Sequence, residues 1–121
     1  MKRVLSIISL ALVVLTCLLM LGSCGVKSYA KRLEKAGYTV ENATKNEINE
    51  TNKAAGGEYK IKAALEATNG KDYVWIMKFA TKKQAKDQAA VMEAYGGFVV
   101  EVKGKALIYG TSQGVKDALG K

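Results

Sequence analysis

Residues 4 to 22 are a nearly unbroken apolar run, interrupted only by Ser6, Ser9, Thr16, Cys17 and Gly22 and preceded by Met1-Lys2-Arg3. A short positive start followed by such a run has the charge and hydropathy order of a secretory signal. The run is also close to the roughly 20 residues that cross a bilayer, so an uncleaved anchor is the competing reading. On either reading these residues contribute nothing to a water-soluble core. Whatever folds must do so from the remainder, which is enough for one small domain with a single modest core.

The run ends in Leu21-Gly22-Ser23-Cys24: an aliphatic residue three places before a cysteine, with two small residues between. This resembles the lipobox of bacterial lipoprotein precursors, the substrates of lipoprotein signal peptidase, and the resemblance covers only the first 24 or so residues. It implies recognition through Leu21, Gly22 and Ser23, a diacylglycerol thioether on Cys24, and cleavage between Ser23 and Cys24. Residues 1 to 23 would then be the signal peptide, and 24 to 121 a domain held on the cell membrane, facing outside the cytoplasm. Cys17 competes poorly, because Thr16 before it is larger than the usual Gly, Ala or Ser and because it lies within the apolar run. Each buried methylene of an acyl chain is worth about 0.8 kcal/mol, so two chains hold firmly without a protein span.

Beyond Cys24 the chain has no cysteine, and it has no histidine anywhere. A disulfide framework and a cysteine metal site are thereby excluded from the domain, along with the commonest general base and transition-metal ligand. Candidate carboxylates stand at Glu66, Asp72, Asp87, Glu93, Glu101 and Asp117, in no recognised acid–base or metal spacing, and they read as surface charge. The pairs Gly56-Gly57 and Gly96-Gly97 lack phosphate-loop spacing and read as punctuation. The expectation is a protein that is not an enzyme and carries no cofactor.

Lys and Arg number 19 against 11 Asp and Glu, for a net charge of +8. That balance favours anionic partners without selecting one. Tyr73, Trp75 and Phe79 lack the basic-aromatic signature of an RNA-recognition motif and read as core, so no nucleic-acid partner is expected. Asn42-Ala43-Thr44 and Asn49-Glu50-Thr51 match glycosylation sequons in form only.

Periodicity gives the elements. Val26, Tyr29, Ala30, Leu33 and Ala36 have helical spacing before Gly37, and Tyr38 to Glu41 is a short strand. Residues 42 to 57 form a polar connection with room for a helical turn, Ile48 being its only large apolar residue. Tyr59 to Ala67 and Tyr73 to Phe79 alternate as two strands of a hairpin around Asn69-Gly70. Thr81 with Gln84 suggests a capping box for a helix that stops at Gly96-Gly97. Phe98, Val100 and Val102 alternate into a strand, Gly104 turns it, Leu107 and Tyr109 return on the same face, and Ser112 caps a last helix.

The expected class is α+β: a mainly antiparallel sheet of two hairpins, with a fifth short strand as an option, and helices packed on one face in the order α-β-ββ-α-ββ-α. Leu33-Glu34 leading through Gly37 to Tyr38-Thr39-Val40-Glu41 is echoed by Met92-Glu93 leading through Gly97 to Phe98-Val99-Val100-Glu101, a hint of two related halves. For the first hairpin, a three-residue loop Thr68-Asn69-Gly70 would oppose Leu65 to Tyr73 and Ala63 to Trp75, gathering the large apolar residues onto one face.

Two functional readings emerge. In one, the domain is a non-catalytic binding module that engages an unknown envelope protein or anionic polymer, with membrane lipid reached through acylated Cys24. In the other it is a structural, membrane-surface protein whose first helix lays Lys27, Lys31, Arg32 and Lys35 along anionic lipid.

Overall fold

The computed structural model describes residues 24–121. Leu21, Gly22 and Ser23 of the lipobox, and the signal segment as a whole, lie outside the described residues. Nine elements follow one another: α1 (Cys24–Lys35), β1 (Thr39–Asn42), α2 (Lys45–Ala55), β2 (Ile61–Thr68), β3 (Tyr73–Phe79), α3 (Lys82–Tyr95), β4 (Val99–Lys103), β5 (Ala106–Gly110) and α4 (Ser112–Leu119). The strands form one antiparallel sheet in the order β1-β2-β3-β5-β4. The α+β class and the order of the expected elements are those read from the sequence, with the optional fifth strand present as β1.

The helices are divided between the two sides of the sheet instead of sharing one. Val74 and Ile76 of β3 join Ala63, Leu65, Ala67 and Ile108 in a core completed by Val26, Ala30 and Leu33 of α1 and Val115 and Ala118 of α4. Phe79 and Met77 point the other way and pack with Ala85, Ala89 and Met92 of α3. A central strand covered on both sides is apolar at successive positions, and residues 73 to 77 read Tyr-Val-Trp-Ile-Met. Period two alone cannot tell which of the two sets faces which helix.

That ambiguity also undoes the expected hairpin register. Leu65 pairs with Ile76, Ala67 with Val74 and Thr68 with Tyr73, leaving a loop of Asn69 to Asp72 and a bulge at Lys62. Val74 and Ile76 therefore line up with Ala67 and Leu65, while Tyr73, Trp75 and Met77 share the opposite side with Thr68, Glu66 and Ala64. Local bonds hold the four-residue loop: Asn69 Oδ1 accepts from the Lys71 and Asp72 amides, and Thr68 Oγ1 accepts from the Gly70 amide and donates to the Asp72 carbonyl. The second hairpin turns as expected, with Lys103 opposite Ala106 across Gly104-Lys105 and Gly104 at φ 60°.

The connection 42 to 57 contains a full helix where a turn was expected. Thr44 Oγ1 accepts from the Glu47 amide and Glu47 Oε1 accepts from the Thr44 amide, a complete capping box, and Gly56 closes the helix at φ 61°. At α3, Thr81 caps the Gln84 amide as expected, but the Gln84 side chain accepts from the Lys60 amide and ties the helix to the entry of β2. Thr111, one residue before the expected Ser112, caps α4.

Strand directions give the sequence echo a geometric meaning. β1, β3 and β4 run one way and β2 and β5 the other, so a two-fold rotation about β3 carries α1-β1-β2 onto α3-β4-β5 and exchanges the two sides of the sheet. Val40 belongs to the α1 side and its counterpart Val100 to the α3 side. Two pieces have no counterpart: α2, inserted between β1 and β2, and α4, which follows β5 where β2 runs directly into β3.

Candidate binding groove

Across the α3 side of the sheet one row of paired residues reads Glu41, Glu66, Trp75, Tyr109, Val100, from β1 to β4. Two carboxylates are therefore direct cross-strand neighbours. The next row inward places Ala64 beside Met77 and Met77 beside Leu107. α3 covers the β4 end of this surface through Ala85, Ala89 and Met92. α2 stands over the β2 end with Ile48 and Thr51 turned toward the sheet, and a groove of about 350 Å³ remains between.

The wall formed by α2 is lightly attached, since none of its residues is fully buried. Asn52 holds it in place: its side-chain nitrogen donates to the Ile61 carbonyl at 3.0 Å and its oxygen accepts from the Ile61 amide at 2.7 Å. These bonds satisfy the strand backbone where the bulge at Lys62 interrupts β2 pairing.

Aromatic rings close the floor on the β3–β5 side. Trp75 stacks on Tyr109 with centroids 5.3 Å apart and an interplanar angle of 18°. Phe98 meets both edge-on, at 6.2 Å from Trp75 and 5.6 Å from Tyr109, and Tyr73 meets Trp75 edge-on at 4.9 Å. Burial, then the nearby Glu66 carboxylate, pushes the Tyr109 hydroxyl up to about 12. Glu66 itself has a buried Oε2 that accepts no hydrogen bond. A buried acceptor left without a donor carries a desolvation cost, which makes it a point to explain.

The residues singled out from sequence fall elsewhere. Cys24 is the first residue of α1. Lys27 is half-buried and Lys31 and Lys35 are exposed. Arg32 is committed to the fold: its guanidinium donates to the Ala118 carbonyl at 2.6 Å, closing the C-terminal end of α4, and lies 5.9 Å from the centre of the Tyr29 ring. The four cations thus do not act as one free set. Glu66 and Trp75, which sequence reading assigned to surface charge and core, meet in the groove. The signal that could have found it was the Thr44-x-x-Glu47 capping box, which marks α2 and therefore a second covered side.

Among the described residues no group of Cys, Asp and Glu is arranged to hold a metal ion, and no helix is long and apolar enough to cross a membrane. No family model, curated protein or solved structure matches this chain.

Proposed function

We propose that the chain is a lipid-anchored cell-envelope protein whose domain is a non-catalytic binding module working through the groove between α2 and α3. The observation that carries the reading is the unsatisfied Glu66 oxygen beside an aromatic floor, in a domain whose other side is closed and aliphatic. Leu21-Gly22-Ser23-Cys24 supports the anchor, with the thioether on Cys24. α1 then starts at the anchor, so the groove works close to the membrane on a partner that is itself an envelope component.

Two experiments test the two parts. Cys24→Ser is expected to abolish incorporation of labelled fatty acid while Cys17→Ser keeps it; label persisting in the Cys24 variant overturns the anchor. A photo-reactive amino acid in place of Met77, in the groove, is expected to give a discrete adduct in intact cells, whereas one in place of the exposed Lys86 on α3 is not. Equal labelling from both positions, or none from Met77, overturns the groove as the binding surface.

One observation favours the second reading, a membrane-surface protein: exposed Lys31 and Lys35 lie on the helix that begins at Cys24. Each cation near anionic lipid gains about 1 kcal/mol. If that reading holds, Lys31→Gln with Lys35→Gln weakens co-sedimentation of the Cys24→Ser chain with anionic vesicles. Unchanged co-sedimentation sets it aside.

A further inference from the structure

We infer that β4 is a self-docking edge: two copies of the chain join antiparallel through this strand, centred on Val102, so that Glu101 of each copy meets Lys103 of the other. The inference goes beyond the groove reading and rests on the opposite end of the sheet.

The two edges of the sheet are β1 and β4. β1 has four residues and runs directly into the capping box of α2. β4 has five, pairs with β5 without a bulge, and holds no proline, the chain having none. A regular edge strand presents unpaired amides and carbonyls to any strand that can meet it, and natural edges are blunted by shortness, bulges, proline or charge. Charge is the device that β4 carries.

The hydrogen bonds behind the edge decide which groups point away from it. The Phe79 amide donates to the Lys105 carbonyl and the Thr111 amide to the Tyr73 carbonyl, so the odd-numbered residues of β5 serve β3 and the even-numbered ones serve β4. Ala106, Ile108 and Gly110 are paired with Lys103, Glu101 and Val99. The amides and carbonyls of Val100 and Val102 therefore point off the edge. So does the Gly104 amide, which lies trans to the inward Lys103 carbonyl.

Three antiparallel registers bring these groups together, centred on Val100, Glu101 or Val102. Centring on Glu101 sets that carboxylate against its own copy, and like charges directly opposite are destabilising. Centring on Val100 sets Glu101 against Val99 and Lys103 against Gly97. Centring on Val102 sets Glu101 against Lys103 twice, by symmetry. In that register the two Val102 residues exchange both backbone bonds, and each Gly104 amide reaches the Val100 carbonyl of the other copy. Glu101 and Lys103 are exposed, and among the described residues neither side chain has a partner in its own chain. Opposite signs two residues apart distinguish a self-complementary edge from one merely blunted by lysine.

Such a pair has its two-fold axis perpendicular to the sheet, so each face continues across the junction. α1 and its copy then lie on one side, and both begin at Cys24. The arrangement suits two lipid anchors in one membrane, although pairing through β4 does not require them.

Cysteine cross-linking of the full chain in intact cells reads the register. Opposed residues of a hydrogen-bonded pair stand about 5.5 Å apart at Cα, within disulfide reach. Val102→Cys is expected to give a disulfide-linked dimer under copper–phenanthroline oxidation, and Val100→Cys or Glu101→Cys alone about a tenth as much or less, since each lies opposite a different residue. Cys17 and Cys24 are common to all these chains and set the background. Val102 is half-buried, so chains with Glu101→Cys and Lys103→Cys, both at exposed positions, are also co-expressed. Their mixed dimer keeps one charge pair and is expected at a yield close to that of Val102→Cys.

Within the Val102→Cys chain, Lys103→Glu and Glu101→Lys are each expected to lower the yield about ten-fold, the scale of two cross-strand charge pairs turned repulsive. The two together are expected to restore it. The single changes shift the charge beside the thiol in opposite directions, so a fall in both reports pairing and not thiol reactivity. No dimer above background from either Val102→Cys or the mixed pair overturns the inference. So does a higher yield from Val100→Cys or Glu101→Cys alone than from Val102→Cys, single charge changes that leave the yield intact, or a double exchange that fails to restore it.

Discussion

The two sides of the sheet are built from equivalent pieces and finished differently. On one side α1 and α4 lie together over Leu65, Val74, Ile76 and Ile108, and the core is aliphatic and closed. On the other, α3 is the counterpart of α1, but nothing corresponds to α4 because β2 turns directly into β3. The place α4 would take is left as the groove, floored by Glu66, Trp75 and Tyr109 and walled by the lightly attached α2. The difference teaches where stability and recognition reside. One side is closed by apolar burial throughout, while the other sets a half-buried carboxylate and aromatic rings in an open groove beside its smaller apolar cluster.

The largest effects are expected on the closed side. Leu33 of α1 is fully buried, and its sequence counterpart Met92 of α3 is half-buried. Leu33→Ala should cost about 2–5 kcal/mol in urea denaturation of the chain in mild detergent, by lost transfer energy and a residual cavity. Met92→Ala should cost clearly less; equal losses would break the comparison between the sides.

Next comes the seam between α4 and β3. Gly114 lies against the Tyr73 carbonyl so closely that an added Cβ would overlap it, and Thr111 bridges the same Tyr73 backbone at its amide and carbonyl, both at 3.2 Å. Gly114→Ala should therefore destabilise by about 1–3 kcal/mol, although alanine is the better helix former, because α4 must lift from the sheet. A stabilised Gly114→Ala chain would mean that α4 is loosely seated and the closed side is not closed.

A smaller effect separates the sides through pH. Tyr109 titrates at about 12 in the fold, against about 10 when unfolded, through burial and then Glu66. Below pH 10 both states keep the proton. Above it the unfolded chain loses the proton first, so stability falls as pH rises from 10 to about 12, by at most about 1.4 kcal/mol per pH unit for this residue. Tyr38 is raised too, by burial and then by its 2.8 Å bond to Asp117, and adds a loss of the same sign. Tyr109→Phe should make the decline shallower without removing it. An unchanged slope would place Tyr109 in water and open the aromatic floor.

Much of the architecture was legible in residue spacing. The alternation of β4 and the Gly104 turn were read correctly because Val100 and Val102 share the side of Leu107 and Tyr109 while Glu101 and Lys103 are exposed; in β5, Ile108 between them is buried on the other side. β3 was legible as a strand but its facing was not: Val74 and Ile76 are as apolar as Trp75 and Met77, and only the placement of α1 and α3 on opposite sides decides which set goes where. α2 was obscured for the opposite reason, having almost no apolar stripe and only a capping box to announce it. The groove depends on both, and on Glu66 lying beside Trp75, a pairing that requires the true register.

The central claim is that Glu66 serves binding at no benefit to the fold, and equilibrium denaturation of Glu66→Gln tests it most directly. Replacing the carboxylate by an amide of the same shape, where its buried oxygen holds no hydrogen bond, should leave stability unchanged to within about 1 kcal/mol. A loss of more than about 1 kcal/mol would show that the carboxylate is a structural member of the sheet, and the division of labour between its two sides would not stand.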